Sequence, residues 1–140
     1  MYEVKALVLS DVPVFPTWAH PAVHYSGSDL YICFEAHEDD VFSVVCFTGL
    51  IEYRVQPLTD ESIWKHQYFS AGLESYEFHL MENSPLTKPW PDSQHWTITF
   101  KDEIHDVVAT SLTVISRESR ASSKEKALLT SMKSEAACVS

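Results

Sequence analysis

The clearest pattern in the chain runs from Trp96 to Phe100, where Trp96, Ile98 and Phe100 alternate with Thr97 and Thr99. A period of two is the signature of a half-buried strand. A charged break, Lys101-Asp102-Glu103, follows, and then a run rich in β-branched residues from Ile104 to Ile115. The stretch reads as a β-hairpin that closes the core of a small sheet protein. Two registers compete. A three-residue loop sets Phe100 opposite Ile104 and brings Asp106 onto the apolar face, where an unpaired carboxylate is costly. A loop of two or four residues sets Phe100 opposite His105, Ile98 opposite Val107 and Trp96 opposite Ala109. A slip of one residue exchanges the faces, so the second register is expected. It places His105 at the rim of the core and turns Asp106 to water.

The same alternation marks strands upstream. Tyr2–Leu9 reads as the first. Leu30–Ala36 alternates Leu30, Ile32 and Phe34 with Tyr31, Cys33 and Glu35. Val41–Phe47 is apolar on both faces, as in a central strand covered on both sides. Leu50–Val55 alternates Ile51, Tyr53 and Val55 with Glu52 and Arg54. His37 to Asp40 and Thr48-Gly49 form the turns of this antiparallel meander, the glycine tolerating positive φ. Thr59-Asp60-Glu61 supplies a capping hydroxyl and first-turn acids, and Ala71-Gly72 a stop, so one short helix is expected between them, with Ile63 and Trp64 toward the sheet. Tyr76–Met81 is a further strand.

Two proline-bearing connections separate these elements. Asp11 to Ser28 contains Pro13, Pro16 and Pro21 but also Phe15, Trp18 and Tyr25, so it is expected to pack down over a sheet. Asn83 to Gln94 holds Pro85, Pro89 and Pro91 around Trp90 and reads as irregular or a brief helical turn. From Ser116 the aromatics vanish and serines multiply, as in a mobile or weakly helical tail. The expected fold is α+β: a mainly antiparallel twisted sheet of about six strands, in the normal size range, with one short helix and a half-open barrel as the main variant. Residues 1–115 form the domain and 116–140 the tail.

The length of 140 residues suits a single domain able to bury a core unaided. Charge changes the picture more. The formal net charge is −10, but residues 1–115 carry seventeen acidic and five basic residues, a balance of −12, and the remainder is +2. Such a body repels nucleic acid and anionic membrane and attracts a basic protein. Cys33, Cys46 and Cys138 have no metal-type spacing, and an odd count without a framework points to a reducing compartment. No run approaches the roughly eighteen apolar residues of a membrane helix. The opening residues lack a signal-peptide pattern, and a cytoplasmic location is expected.

Candidate chemistry is sparse. His20 and His24 have i, i+4 spacing, but no third ligand or HExxH glutamate accompanies them, so no metal is expected. His37-Glu38-Asp39-Asp40 lacks the alternating oxygens and central glycine of a calcium loop. Glu35 sits beside this tip, and Asp102, Glu103 and Asp106 form a second acidic group. Turn carboxylates in water do not have the split pKa values that acid–base catalysis needs. His105 and Asp106 suggest a triad, yet neighbours on a strand point to opposite faces. With only Gly27, Gly49 and Gly72, no glycine-rich phosphate loop exists. No cofactor is implied.

The segments DLYICFEAHEDDVFSVVCFTGLIEYRV, YEFHLMENSP and HWTITFKDEIHDVVA together resemble small uncharacterised bacterial sheet proteins in which an ENSP segment precedes a terminal strand pair. The resemblance covers about residues 30–115 and rests on structural motifs. Proteins of that kind are often taken for immunity proteins, which bind and neutralise a co-encoded toxin. The resemblance thus implies a binding role and carries over no functional residue.

Two functional expectations follow. The first is a non-enzymatic protein that offers an acidic face, Glu35, Glu38, Asp39, Asp40, Asp102, Glu103 and Asp106, to a basic partner. The second is a ligand binder or enzyme with an aromatic cleft lined by Trp18, Tyr25, Trp64 and Trp90, with His105 as its polar group.

Overall fold

The computed structural model describes residues 3–59 and 61–139, with the side chains of the last helix described as far as Lys133. Tyr2 and Asp60, assigned above to the first strand and to a helix start, lie outside them, as does the Cys138 side chain. The strands are β1 (Lys5–Val8), β2 (Ala22–Ser26), β3 (Asp29–Glu35), β4 (Val41–Thr48), β5 (Glu52–Pro57), β6 (Phe78–Glu82), β7 (Gln94–Phe100), β8 (Glu103–Ala109) and β9 (Ser111–Arg120). One helix, α1 (Lys124–Val139), follows. The fold is α+β, with the strands in two antiparallel sheets ordered β1-β6-β7-β8-β5 and β2-β3-β4-β9.

The sheets are joined at a corner. β4 pairs with β9 and β5 pairs with β8, so two long bent strands run beside each other and change sheet together. Strands that switch sheets in this way make the corners of crossed sandwiches. The bend falls at Gly49 and Thr110, whose N–H donates to the Thr48 carbonyl at 2.8 Å. Gly49 has φ +66°, and a Cβ there would collide with the Thr110 hydroxyl. Glycine is therefore required at the corner for space as well as for backbone angle.

Between the sheets lies the main core. Leu30, Ile32 and Phe34 of β3 and Val45 and Phe47 of β4 meet Phe78, Trp96, Ile98, Phe100, Val107 and Ala109 of the other sheet. Phe15 leaves the proline-bearing connection and enters this core, with ring centroids 5.4 Å from Phe34 and 4.7 Å from Phe100. The connection does pack down over a sheet, and it also supplies β2, an edge strand not foreseen in a segment rich in proline.

The expected hairpin forms with the expected faces but a shifted pairing. Phe100 pairs with Glu103, Ile98 with His105 and Trp96 with Val107. The loop is the two-residue Lys101-Asp102, with Asp102 at φ +62°. A two-residue turn moves every partner by two positions, which keeps each side chain on its face. The helix expected after Thr59 is instead two short 3-10 turns, Ile63–Lys65 and Phe69–Ala71. Aromatic and serine residues there have modest helix propensity, and so short a segment cannot offset the cost of helix nucleation. Its stop at Gly72 holds, at φ +117°.

The expected boundary at Ser116 falls inside β9, which continues to Arg120 on the edge of the second sheet. Beyond it α1 lays Ala127 and Leu128 against Tyr31, Cys33, Val44 and Cys46 on the outer face of that sheet. This explains why β4 is apolar on both sides. The periodicity of α1 is weak, and packing against the sheet, rather than intrinsic amphipathicity, holds its first half.

Candidate functional site

The seven expected acidic residues separate into three environments. Phe34, close to the β3–β4 turn, touches Phe100, beside the β7–β8 turn, with centroids 5.7 Å apart. Both turns therefore leave the same end of the sandwich. Asp39, Asp40 and Asp102 are exposed at the turn tips. Asp40 and Asp102 have φ +58° and +62°, a left-handed conformation that aspartate tolerates better than most residues. Among the described residues no basic side chain is paired with these three.

Glu35 and Glu38 are partly neutralised by the segment that carries the opposite charge. Lys124 Nζ lies 3.1 Å from Glu35 Oε1, which also accepts the His20 N–H at 3.1 Å. Arg120 lies 3.1 Å from Glu38. The basic C-terminal segment thus folds back onto the acidic body. Both residues of the Glu38 pair are well exposed, so that pair contributes little stability.

Glu103 and Asp106 lead into two buried histidine networks on opposite faces of β8. On the inner face, His105 is 2% exposed. Its Nδ1 lies 2.6 Å from the Tyr53 hydroxyl and its Nε2 2.8 Å from Glu103 Oε2. Burial pulls the His105 imidazole below the ordinary histidine range and outweighs the opposing pull of Glu103. A neutral ring accepts from the Tyr53 O–H at Nδ1 and donates from Nε2 to the carboxylate. Burial, with Tyr25 and Glu103 nearby, also pushes the Tyr53 phenol up, so Tyr53 stays protonated and serves as the donor.

On the outer face, Asp106 does not turn to water. Its carboxylate accepts from the Thr97 hydroxyl at 2.7 Å and lies 2.8 Å from His95 Nε2. His95 Nδ1 in turn meets Ser84 Oγ at 2.7 Å. Burial opposes ionisation of Asp106, but the hydrogen bonds from His95 and Thr97 outweigh it and hold the carboxyl below its usual range. Nearby, the buried His79 accepts the Glu74 N–H at Nε2 and donates from Nδ1 to the Thr97 carbonyl. Burial lowers its pKa as well.

A serine, a histidine and an aspartate in hydrogen-bonded series are the parts of a nucleophilic triad. Here the geometry makes them a staple. Ser84 and His95 are only 2% and 1% exposed. The Ser84 oxygen already accepts the Leu86 N–H at 3.3 Å, capping the turn Pro85–Thr87. The adjoining cleft of about 230 Å³ is lined by His95, Asn83, Thr87 and Ser93 but not by Ser84. The series ties the Asn83–Ser93 connection to β7 and β8.

The aromatic candidates do not converge. Trp18, Trp64 and Trp90 are half-exposed on three separate segments. None of them, nor Tyr25 or His105, lines the clefts of about 310, 270 and 230 Å³ on the surface. Tyr25 reaches His105 only through Tyr53, with the two tyrosine centroids 6.1 Å apart. His20 lies in a loop and His24 on the exposed edge strand β2 rather than on a helix. Among the described residues no group of three or more histidine, cysteine or acidic side chains is placed to hold a metal. Cys33 and Cys46 are buried free thiols, and burial pushes Cys33 up to about 12, far from a reactive thiolate. No described helix is long and apolar enough to cross a membrane.

Comparison with family models, curated proteins and solved structures finds no match for the chain.

Proposed function

We propose that this protein is a non-enzymatic binding protein that holds a basic protein partner at the acidic end of its sandwich, in the manner of an immunity protein neutralising a toxin. The observation that supports this is the placement of Asp39, Asp40 and Asp102 on two hairpin tips at one end, with no basic side chain paired to them among the described residues, while Lys124 and Arg120 occupy the flanking Glu35 and Glu38. Glu103 adds a further partly exposed carboxylate. Asp106 takes no part, because its charge is spent on His95 and Thr97 inside the protein. Exposed carboxylates on fixed turns steer and orient a cationic partner, and their effect weakens with salt.

The test is capture of a partner from the native host by the full chain, followed by titration at low salt with the triple variant Asp39→Lys, Asp40→Lys, Asp102→Lys. The reading expects a basic partner whose affinity falls at least tenfold in the triple variant. Unchanged affinity overturns it.

A further inference from the structure

Between two sheet edges, apolar side chains of the core face are left exposed. β2 is an edge of one sheet and β5 an edge of the other, and Tyr25 of β2 packs edge-on against Tyr53 of β5. On β5, Tyr53 and Val55 point to the inner face with their partners Val107 and His105 on β8, and Ile51, just before the strand, continues the alternation. Inner-face side chains are normally covered by the opposite sheet. Here Tyr25 is 55% exposed, Val55 44% and Ile51 38%. The seam between the two edges is therefore an exposed apolar and aromatic strip. His105 lies buried beneath Tyr53, and the partly exposed Glu103 is hydrogen-bonded to its far nitrogen.

Both strands along this seam have a free edge. Among the described residues β5 pairs only with β8 and β2 only with β3. A free edge offers main-chain donors and acceptors to an added strand, and adjacent pockets then read alternate side chains. The charge at the seam chooses among occupants. Glu103 is one-third exposed, and among the described residues its one ion-pair partner is His105, which burial holds below the ordinary histidine range. Arg54 leaves β5 on the opposite face and is paired with Glu52. Lys101 and Asp102 are both exposed in the turn beyond.

We infer that the β2–β5 seam docks an extended, basic segment of a partner protein, which adds to the free edge of β5, covers Tyr25 and Val55, and sets a cationic side chain on Glu103. This deepens the binding role proposed above and rests on it, but it locates the anchor in the seam rather than at the turn tips. A guanidinium fits the site best, since it pairs with a carboxylate and stacks on tyrosine faces.

The test uses the full chain and two fluorescein-labelled peptides of about ten residues, an extended-strand length. One alternates Arg and Val and the other Glu and Val. The Arg–Val peptide is expected to bind, to shift the amide signals of β5 and the ring signals of Tyr25 and Tyr53, and to lose at least tenfold in affinity on Val55→Lys. The Glu–Val peptide is expected to bind at least tenfold more weakly. Val55 is exposed enough to tolerate lysine; should the variant unfold, Tyr25→Ala serves in its place. Equal affinity for the two peptides, no binding of either, or shifts confined to other surfaces overturns the inference. So does a dimer of the chain that Val55→Lys dissolves, because the seam would then be occupied by a second copy. The triple tip variant separates the two claims: loss of partner binding there, with Val55→Lys silent, leaves the acidic end standing and removes the seam.

Discussion

His105 and Asp106 are consecutive residues of β8, and each ends in a buried network, yet the two networks differ in kind. On the inner face, His105 is held by Tyr53 across one strand pair and by Glu103 two residues away, and the series ends on a carboxylate that water reaches. On the outer face, Asp106 is held by Thr97 and His95 across the β7–β8 ladder, and the series ends on a serine that water does not reach. The outer network resembles a catalytic triad and is closed. The inner one resembles nothing catalytic and ends at the exposed seam. A hydrogen-bonded series of reactive side chains is, in a buried setting, first a way of satisfying polar atoms. Access decides whether it can do more.

Asp106→Ala has the largest effect. It leaves His95 and Thr97 without their acceptor in a buried site, and a loss of about 3 kcal/mol is expected. Thermal unfolding should show it as a fall of roughly 10 °C in Tm. Acidification comes next, in two steps. His79 and His105 have depressed folded values, so the unfolded chain takes up protons first, and stability falls as pH drops below the ordinary 6.5. Asp106 is also depressed, so its contribution is complete above the ordinary 3.8 and fades as pH falls below it. Denaturant titrations across pH should lose only the lower step in Asp106→Asn. Tyr53→Phe removes one partner of His105, whose other partner remains, and about 1 kcal/mol is expected in the same titration. Least affected is the triple neutralisation Asp39→Asn, Asp40→Asn, Asp102→Asn: asparagine keeps the left-handed turn conformation, so folding stability should change by no more than about 0.5 kcal/mol while partner binding weakens.

Much of the fold was legible because burial writes itself into period-two alternation. Trp96, Ile98 and Phe100 set their faces unaided, and the glycine stop at Gly72 followed from backbone angle. Gly49 was expected as a tight turn folding β5 back onto β4; instead β4 pairs with β9 and β5 with β8, and Gly49 is the corner between the sheets. The pairing partners were less legible, since registers two apart bury the same faces and only the turn length separates them. Burial of β4 on both faces signalled a cover, but nothing local in Lys124–Lys133 marked it as that cover. The outer network was half visible: the register put Thr97 and Asp106 on one face, and His95 shares their parity. Ser84 lies eleven residues from His95 and reaches it only through the turn at Pro85. A polar residue on a nominally exposed face carries no sign of what will later cover it, and so Asp106 was expected in water.

Partner contact is proposed at the acidic end and its open seam, while the Ser84–His95–Asp106 series is internal. Amide-resolved NMR of the full chain titrated with the Arg–Val peptide at low salt separates the two regions. Shifts are expected at Tyr25, Tyr53 to Val55, and Asp102 to Glu103, fading as salt is raised. Shifts grouped instead at Asn83 to His95, around the cleft beside the closed network, would contradict this placement.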